Sequence, residues 1–493
     1  MNDSIVALYE LTDKSVFSKL DSICAPFNAD SSYPEYPFPG KLSDYNPIYA
    51  AVRDLFKTLK LDIENYGKED WNPLGELISP GNSVVIKPNL VRHYHGSGGD
   101  IGCVLTSGAI IRAVLDYVYK ATGGEGKVVI GDAPLQSADF EVVKEITGLN
   151  HIKSFYELNT SQPVEVMDFR QECAIKEREN SVIKGKRRLA GDTAGYVTVE
   201  LGDMSEHNNF DSTEIKRFRV TQYDRKKMLL YHNEENHRYV ISKSALDADV
   251  FINLPKLKTH KKAGLTASLK NLVGINGSKD CIPHHRCGSM QDGYDEYLYR
   301  SFRKRIISYL WDLENNSDGI IRALASCLSR YFTYTNRFFK FKDPYFEGSW
   351  WGNKTIAYSI LDFNKIIKFA DCEGNLKDSP QRKYFTLIDA IVVGDGEGPL
   401  SPQPQNSGLL IAGCNPLTAD LVCSSVMGFD YKKIPTLSCG FGVRNYPFFD
   451  RSVDDIVVLT NVYGQVKFSE LADRYNYHLT APKGWRGYIE SRK

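Results

Sequence analysis

The amino-acid sequence predicts an α/β fold: a mainly parallel, doubly wound sheet in two packed α/β units, with an inserted β-rich subdomain. Two observations carry this prediction. Short apolar runs typical of buried strands alternate with stretches of helical periodicity in residues 83–170, and the alternation returns in residues 385–459. The chain of 493 residues is also too long for one ordinary core. We therefore expect more than one packed unit.

The N-terminal unit is expected over residues 1–170. Ser83-Val-Val-Ile-Lys-Pro88 is typical of a buried strand, residues 106–120 have helical periodicity, and Lys127-Val-Val-Ile-Gly131 is the next strand. A strand at 164–168 continues the alternation. Because a helical crossover joins parallel neighbours, these strands predict a largely parallel sheet.

Four further segments complete the predicted organisation. Short alternating segments separated by Gly, Asp and Asn indicate an insertion or cap, and apolar runs indicate where the core resumes. The predicted segments are a β-rich insertion or cap at 171–240, a continuation of the α/β core with a Lys/His site at 241–300, a helical aromatic-basic segment at 301–355, and a C-terminal α/β unit at 356–493.

The helical aromatic-basic segment has one apolar helix face. The residues Tyr297, Phe302, Ile306, Leu310 and Leu313 are spaced so that they share this face. The pattern predicts packing against the sheet, although a helix that lies on a membrane surface has the same pattern.

The composition restricts the kinds of partner that we expect and indicates the cellular compartment. Lys plus Arg (61) equals Asp plus Glu (61), so the overall charge argues against a nucleic-acid partner. Residues 1–10 lack the pattern of a signal peptide, and no apolar run has the length of a transmembrane segment. The ten cysteines include no Cys-x-x-Cys pair and are expected to be reduced. We expect a cytoplasmic protein.

The most informative motif is Asn253-Leu-Pro-Lys-Leu-Lys-Thr-His260, directly after a buried strand. Ligands of α/β sheets collect where strands end, and alternate side chains of an extended segment project to one side. Lys256, Lys258 and His260 are therefore expected to converge on a carboxylate or phosphate. Crowding of like charges lowers lysine pKa values toward the range useful for proton transfer. Lys258 and His260 are candidate catalytic residues and Lys256 is a candidate binding residue; a solvated basic turn is the alternative.

Other polar residues follow the predicted strands or flank a helix. Lys87 and Asn89 end the first strand, and Thr106 precedes a helix, so the three are candidates for an anion cradle. Lys270 and Asn271 could face the same cleft or could form an ordinary basic last turn of a helix.

Acidic residues also follow the strands. Asp132 could orient a lysine, accept a proton or begin a helix, and we take it as a third candidate catalytic residue. Asp395 and Glu397 lie in a Gly-rich loop and are candidate ligands of a divalent metal. His285 and Arg286 lie between two cysteines in a segment that suits a substrate loop better than a zinc site.

Together these segments resemble the domain of unknown function 362 family, a group of uncharacterised prokaryotic proteins. The motifs include Val85-Ile-Lys-Pro-Asn-Leu90, Gly131-Asp-Ala-Pro134, the block Leu254–His260 and the segment Thr266–Gly274, and the likeness extends over about 83–430. The resemblance implies a fold and a set of site positions, without a reaction. A fainter similarity in layout is to nickel-pincer lactate racemase-like proteins, which use lysine and histidine in an interdomain cleft.

Many members of the resembled family carry cysteine motifs for four-iron four-sulfur clusters, which implies electron transfer for them. This chain has no closely spaced run of four cysteines, so an iron–sulfur cluster is not expected in it. The leading hypothesis is an enzyme that acts on a phosphorylated or carboxylate small molecule in an interdomain cleft, by Lys/His acid–base chemistry. The alternative is a non-catalytic binding or electron-transfer accessory protein that relies on a partner for its cluster. A protein partner or a homo-oligomer is compatible with either hypothesis.

Overall fold

A computed structural model describes residues 2–175, 185–220, 224–317, 319–339, 345–443 and 445–491, with backbone only for 333–339. Residues 176–184 and 221–223 of the predicted insertion lie outside the described residues, as do 318 and 340–344 of the predicted helical segment.

The strands are numbered in chain order. They are β1 (Ile5–Glu10), β2 (Val84–Pro88), β3 (Val128–Asp132), β4 (Val164–Asp168), β5 (Glu172–Ile175), β6 (Gly185–Arg188), β7 (Tyr196–Glu200), β8 (Phe218–Arg219), β9 (Arg238–Ser242), β10 (Val250–Leu254), β11 (Lys256–His260), β12 (Gly264–Thr266), β13 (His285–Arg286), β14 (Lys383–Glu397), β15 (Ser401–Gly413), β16 (Val457–Thr460) and β17 (Gly464–Lys467).

The α-helices are numbered in the same way. They are α1 (Pro47–Thr58), α2 (Gly108–Thr122), α3 (Phe140–Ile146), α4 (Leu149–Asn159), α5 (Ser212–Ile215), α6 (Arg225–Tyr231), α7 (Lys243–Asp247), α8 (Ser268–Asn271), α9 (Phe302–Asn316), α10 (Gly319–Phe339), α11 (Thr355–Phe369), α12 (Pro416–Met427), α13 (Pro435–Ser438) and α14 (Leu471–Arg474).

One sheet of eleven strands organises the described chain. Its main path is β17-β16-β1-β15-β14-β10-β2-β3-β4; off this path, β11 pairs with β14 and β12 pairs with β11. The central strands β14, β10, β2, β3 and β4 are parallel, whereas β15 pairs antiparallel with β14 and β1. The predicted mainly parallel α/β fold is confirmed. Strands from the predicted N-terminal and C-terminal units lie in this same sheet, and the unit boundaries stay predictions.

The two faces of the sheet explain why its central strands are continuously apolar. In β10, Val250 and Ile252 pack into one core, while Phe251 between them packs into the other. Because successive side chains of a strand point to opposite faces, a strand covered on both sides needs apolar residues at every position. The core that contains Val250 also contains α1 and α2, and the opposite core contains α11 and α12.

The described part of residues 171–240 contains short paired strands together with helices. β5 pairs with β6, β7 pairs with β9 and β8 pairs with β13, all antiparallel, and α5 and α6 lie between them. Each of these pairs forms a small sheet outside the central one.

Helices α9 and α10 form a hairpin whose packing differs from the expected one. Phe302, predicted to lie on the buried face of α9, is 80% exposed, whereas Leu310 is buried. The main neighbours of α9 are α10 and α6, so the expectation that it packs on the central sheet is wrong. A periodic pattern shows that one face of a helix is covered but does not show what covers it. Within the described ranges, no helix combines the length and the apolar character needed to cross a membrane.

Candidate functional site

A cavity of about 600 Å³ lies beyond the carboxyl ends of β2 and β3. This edge of an α/β sheet is where ligands are usually bound. Several nitrogen-bearing side chains line the cavity, including Lys258, His260, Lys262, Lys270, Lys279 and His284. The predicted residues Asn89, Asp132 and Asn271 also line it.

Asp132 in the cavity lining forms a buried ion pair with Lys87. The Nζ atom of Lys87 lies 2.7 Å from Oδ1 of Asp132, and it also donates to Oδ1 of Asn271 at 2.9 Å. The backbone N–H of Leu90 donates to the other carboxylate oxygen of Asp132 at 2.7 Å. Burial lowers the pKa of Lys87, and the charge of Asp132 opposes that decrease. The pair therefore joins the end of β2 to the end of β3.

The backbone at Gly274 packs directly against the Lys87–Asp132 pair. A Cβ atom at Gly274 would lie 1.9 Å from Oδ1 of Asp132 and 2.5 Å from Nζ of Lys87. The carbonyl of Gly274 accepts a hydrogen bond from the N–H of Ala133 at 2.7 Å. Only glycine allows the backbone to approach the ion pair so closely.

The predicted convergence of Lys256, Lys258 and His260 holds for two of the three residues. Lys258 and His260 line the cavity, whereas Lys256 forms an ion pair with Asp389, with Nζ 3.0 Å from Oδ1. The pairing of β11 with β14 shifts register between Lys256 and Lys258. A bulge of this kind redirects a side chain, so strict alternation did not place Lys256 correctly.

Lys258 is fully buried and is held by neutral groups. Its Nζ donates to Oδ1 of Asn89 at 2.6 Å and to the carbonyl of Val104, and Nδ2 of Asn89 donates to Oδ1 of Asn271 at 2.8 Å. Burial, with the nearby charge of Lys270, lowers the pKa of Lys258 well below its usual value. Thr106 lies behind this group, where its hydroxyl donates to the carbonyl of Leu254 at 2.7 Å and accepts from the N–H of Asn89.

Three further lysines surround the cavity with few polar partners. Burial is the largest cause that lowers the pKa of Lys270 to about 8, of Lys279 to about 7 and of Lys262 to about 8. Lys279 donates to the carbonyl of Val273 at 3.3 Å, and Lys262 lies 4.0 Å from Glu347. In the described part of the chain, the side chain of Lys270 has no hydrogen bond or ion pair. These ammonium groups are poorly compensated.

The two histidines of the cavity, His260 and His284, are assigned to different tautomers. Nδ1 of His260 accepts from the backbone N–H groups of Lys262 and Ala263, both at 3.1 Å, which assigns the proton to Nε2. Nδ1 of His284 lies 2.7 Å from the carbonyl of Ile282, which assigns its proton to Nδ1 and leaves Nε2 as an acceptor. Burial and nearby lysines lower the pKa of both, that of His284 to about 3. Both rings are neutral near pH 7.

His285 and Arg286 are not among the residues that line this cavity. His285 is fully buried, and Nε2 lies 3.9 Å from Glu296. Arg286 pairs with Glu214 and with Asp295, and its guanidinium lies over the ring of Phe210 at 3.9 Å. These partners fix β13 against α5 and against the segment that contains Asp295 and Glu296.

Asp395 and Glu397 hold the C-terminal segment. Asp395 accepts from the N–H of Thr480 at 2.6 Å, and Glu397 accepts from the N–H of Lys483 at 2.9 Å. Burial raises the pKa of Asp395. In the ranges that the structure describes, no group of three or more His, Cys, Asp or Glu side chains is arranged to hold a metal ion.

Sequence reasoning did not select His284, Lys262 or Lys279. Lys262 follows the candidate motif in a basic run that is typical of a solvated turn, and His284 directly precedes the selected His285. Because β13 contains only two residues, no periodicity showed which of the two histidines faces the cavity. The signal for Lys262 was its place in the same basic run as His260.

Comparison with known proteins identifies relatives of this chain. It is 22% identical, over 370 residues, to a thylakoid-associated protein of Synechocystis sp.. The matched region covers 75% of this chain and 70% of the relative. The lactate racemase apoprotein from Thermoanaerobacterium thermosaccharolyticum is 13% identical, with a TM-score of 0.32. That likeness covers 76% of this chain and 55% of the other, and it is too weak to carry an argument.

The profile of one family matches residues 84–193 and 180–425, which are most of the chain and include the cavity. The family's description records no activity. The chain belongs to the family described as Domain of unknown function (DUF362).

Proposed function

We propose that the protein is a cytoplasmic enzyme that acts on an anionic small molecule, a phosphorylated compound or a carboxylate, in this cavity. One observation carries the proposal. Lys258, Lys270 and Lys279 line one cavity and, among the described residues, none has a carboxylate within ion-pair distance. Buried ammonium groups without a counter-charge are costly, and a bound anion would supply that charge.

The proposed roles follow from the hydrogen bonds. Lys270 and Lys279, with pKa values of about 8 and 7, can exchange protons near neutral pH. His260 offers an N–H from Nε2, so in this proposal it is a hydrogen-bond donor to the anion rather than the acid–base residue expected from the sequence. His284 offers an acceptor at Nε2.

Two residues of the cavity lining would set its shape by positioning lysines. Asp132 would position Lys87, and Asn89 would position Lys258 through the 2.6 Å hydrogen bond. One oxygen of Asp395 and one of Glu397 already accept backbone N–H groups, which favours a role for these carboxylates in holding the C-terminal segment. The proposal therefore assigns the chemistry to the lysines.

Ligand binding tests this proposal. Inorganic phosphate, sulfate, phosphorylated sugars and 2-hydroxy acids would be titrated into the full chain by calorimetry. Intrinsic tryptophan fluorescence, to which Trp311 in the cavity lining contributes, would be a second readout. For whichever anion binds, Lys270→Ala and Lys279→Ala are each expected to weaken binding at least about tenfold, equivalent to about 1.4 kcal/mol. Turnover of that anion would then be measured.

The exposed Lys432 provides a matched control, since Lys432→Ala removes an ammonium group far along the chain from the cavity segments. Its affinity should equal that of the wild type. If both cavity variants bind every anion as tightly as the control does, the cavity is not the binding site.

A further inference from the structure

The α9–α10 hairpin exposes an apolar stripe. Along α10, Ile320, Leu324, Leu328 and Tyr331 recur every three or four residues and are 78%, 58%, 47% and 63% exposed. At 1.5 Å per residue, this stripe extends about 17 Å along the helix. Residues spaced in this way share one helix face.

The inner face of α10 contains small residues. Ala325, Ser326 and Ser329 are buried, at 2%, 5% and 2% exposure. A surface helix normally buries its large apolar residues and exposes its polar ones, so the arrangement in α10 is reversed. The reversal indicates that the outer face is suited to a partner that covers it.

The same hairpin is basic although the whole chain has no net charge. Helices α9 and α10 contain the cations Arg303, Arg305, Arg322 and Arg330 and the buried Lys304, against the acids Asp312 and Glu314. Arg322 and Arg330 also line the cavity. Asp312 is already paired with Arg219 at 2.5 Å and with Arg225 at 2.9 Å. Arg305 and Arg330 are exposed. A positive field therefore accompanies the apolar stripe.

We propose that the outer face of this hairpin docks on the surface of a lipid bilayer that contains anionic lipids. An amphipathic helix with a basic flank lies in the plane of the interface, with its apolar face among the upper acyl chains and its cations against the anionic headgroups. Phe302 and Tyr309 on α9, 80% and 66% exposed, extend the apolar surface beside α10. The charge of the hairpin favours this occupant over a neutral apolar partner. The proposal does not depend on which anion the cavity binds.

Vesicle co-sedimentation of the full chain tests the proposal. Vesicles of phosphatidylcholine with phosphatidylglycerol are compared with vesicles of phosphatidylcholine alone, and the wild type is expected to bind the anionic vesicles and to be released by high salt. The variant Leu324→Glu/Leu328→Glu is expected to bind at least tenfold more weakly. Both leucines are exposed, so this variant should fold normally, which circular dichroism would check.

Leu158→Glu is the matched control, because Leu158 is 84% exposed on α4, outside the hairpin. This control and Lys270→Ala should bind anionic vesicles as the wild type does, so failure of the cavity proposal would not affect the result. Absence of wild-type binding, or equal binding of the double variant, would overturn the proposal. If light scattering shows a wild-type dimer that the double variant converts to a monomer, without vesicle binding, the stripe is an interface between two copies and the membrane proposal is wrong.

Discussion

Two groups of lysines near the ends of the central strands differ in their partners. Lys87 and Lys256 are paired with Asp132 and Asp389, at 2.7 Å and 3.0 Å. Lys270 and Lys279 line the cavity, and burial lowers their pKa to about 8 and about 7. Within the described residues, neither has a carboxylate within ion-pair distance.

Whether a lysine in this region has a carboxylate partner, more than how deeply it lies, indicates whether its role is structural or functional. A paired ammonium joins strands and strongly destabilises the protein when its partner is removed. An unpaired ammonium in a cavity lowers the free energy of unfolding, and a bound anion can raise it again. The first group should therefore govern stability, and the second should govern ligand binding.

The largest expected effect is on the paired group. Asp389→Ala leaves Lys256 without a counter-charge in a region where Lys256 is only 2% exposed, and it removes the acceptor of the Ser107 N–H. We expect the free energy of unfolding to fall by about 3–5 kcal/mol, as for other buried pairs that lose one partner. Urea denaturation would measure this change.

Asp378→Ala is the control for this variant, since Asp378 is exposed, and it should change stability by less than about 0.5 kcal/mol. The double variant Lys256→Met/Asp389→Leu should recover much of the loss, because it removes both charges. A single-variant cost close to that of the control would contradict the structural role of the pair.

A smaller effect is expected where the backbone presses on the Lys87–Asp132 pair. Gly274→Ala places a methyl group 1.9 Å from Oδ1 of Asp132, so the pair or the backbone must move. We expect a loss of about 1–3 kcal/mol, as for other overpacked sites, together with weaker anion binding because Gly274 lines the cavity. Urea denaturation and calorimetric titration would measure the two effects.

Gly442→Ala offers a matched substitution, because a Cβ atom there meets nothing within 4 Å. It should leave stability and anion binding close to the wild-type values. If Gly274→Ala behaves in the same way, the close approach of the backbone to the ion pair has no energetic consequence.

Much of the fold could be predicted because its central strands are buried on both faces. The apolar runs that became β2, β3 and β10 are continuous in the sequence for that reason. The end of β14 could not be predicted in this way. Gly394–Glu397 have the composition of a loop, yet they are strand residues, because β15 supplies hydrogen-bonding partners as far as Ser401.

The position of the candidate site could be predicted from the sequence. Which of its residues line the cavity and which form ion pairs elsewhere could not. Strand-end reasoning selected Lys258, His260 and Asp132, which do line the cavity. It could not separate Lys256 from Lys258, because the register shift between them depends on β14, which lies more than a hundred residues away in the sequence. His284 was missed because its orientation depends on a two-residue strand.

The smallest expected effect is that of removing the ammonium group of a cavity lysine. Its removal should increase the free energy of unfolding, whereas removing one member of a lysine–carboxylate pair should decrease it. Burial lowers the folded-state pKa of Lys270 to about 8, while in the unfolded chain it stays near about 10.4. Between these values the unfolded state binds more protons, so the lysine makes stability rise with pH from about 8 to about 10. Lys270→Met should reduce that rise and increase the free energy of unfolding at pH 7 by about 1 kcal/mol, a modest gain because solvent in the cavity screens the ammonium. Urea titrations at pH 7, 8, 9 and 10 would measure it beside Lys432→Met, which should keep the wild-type slope; a destabilised Lys270→Met variant would place Lys270 with the paired, structural lysines instead.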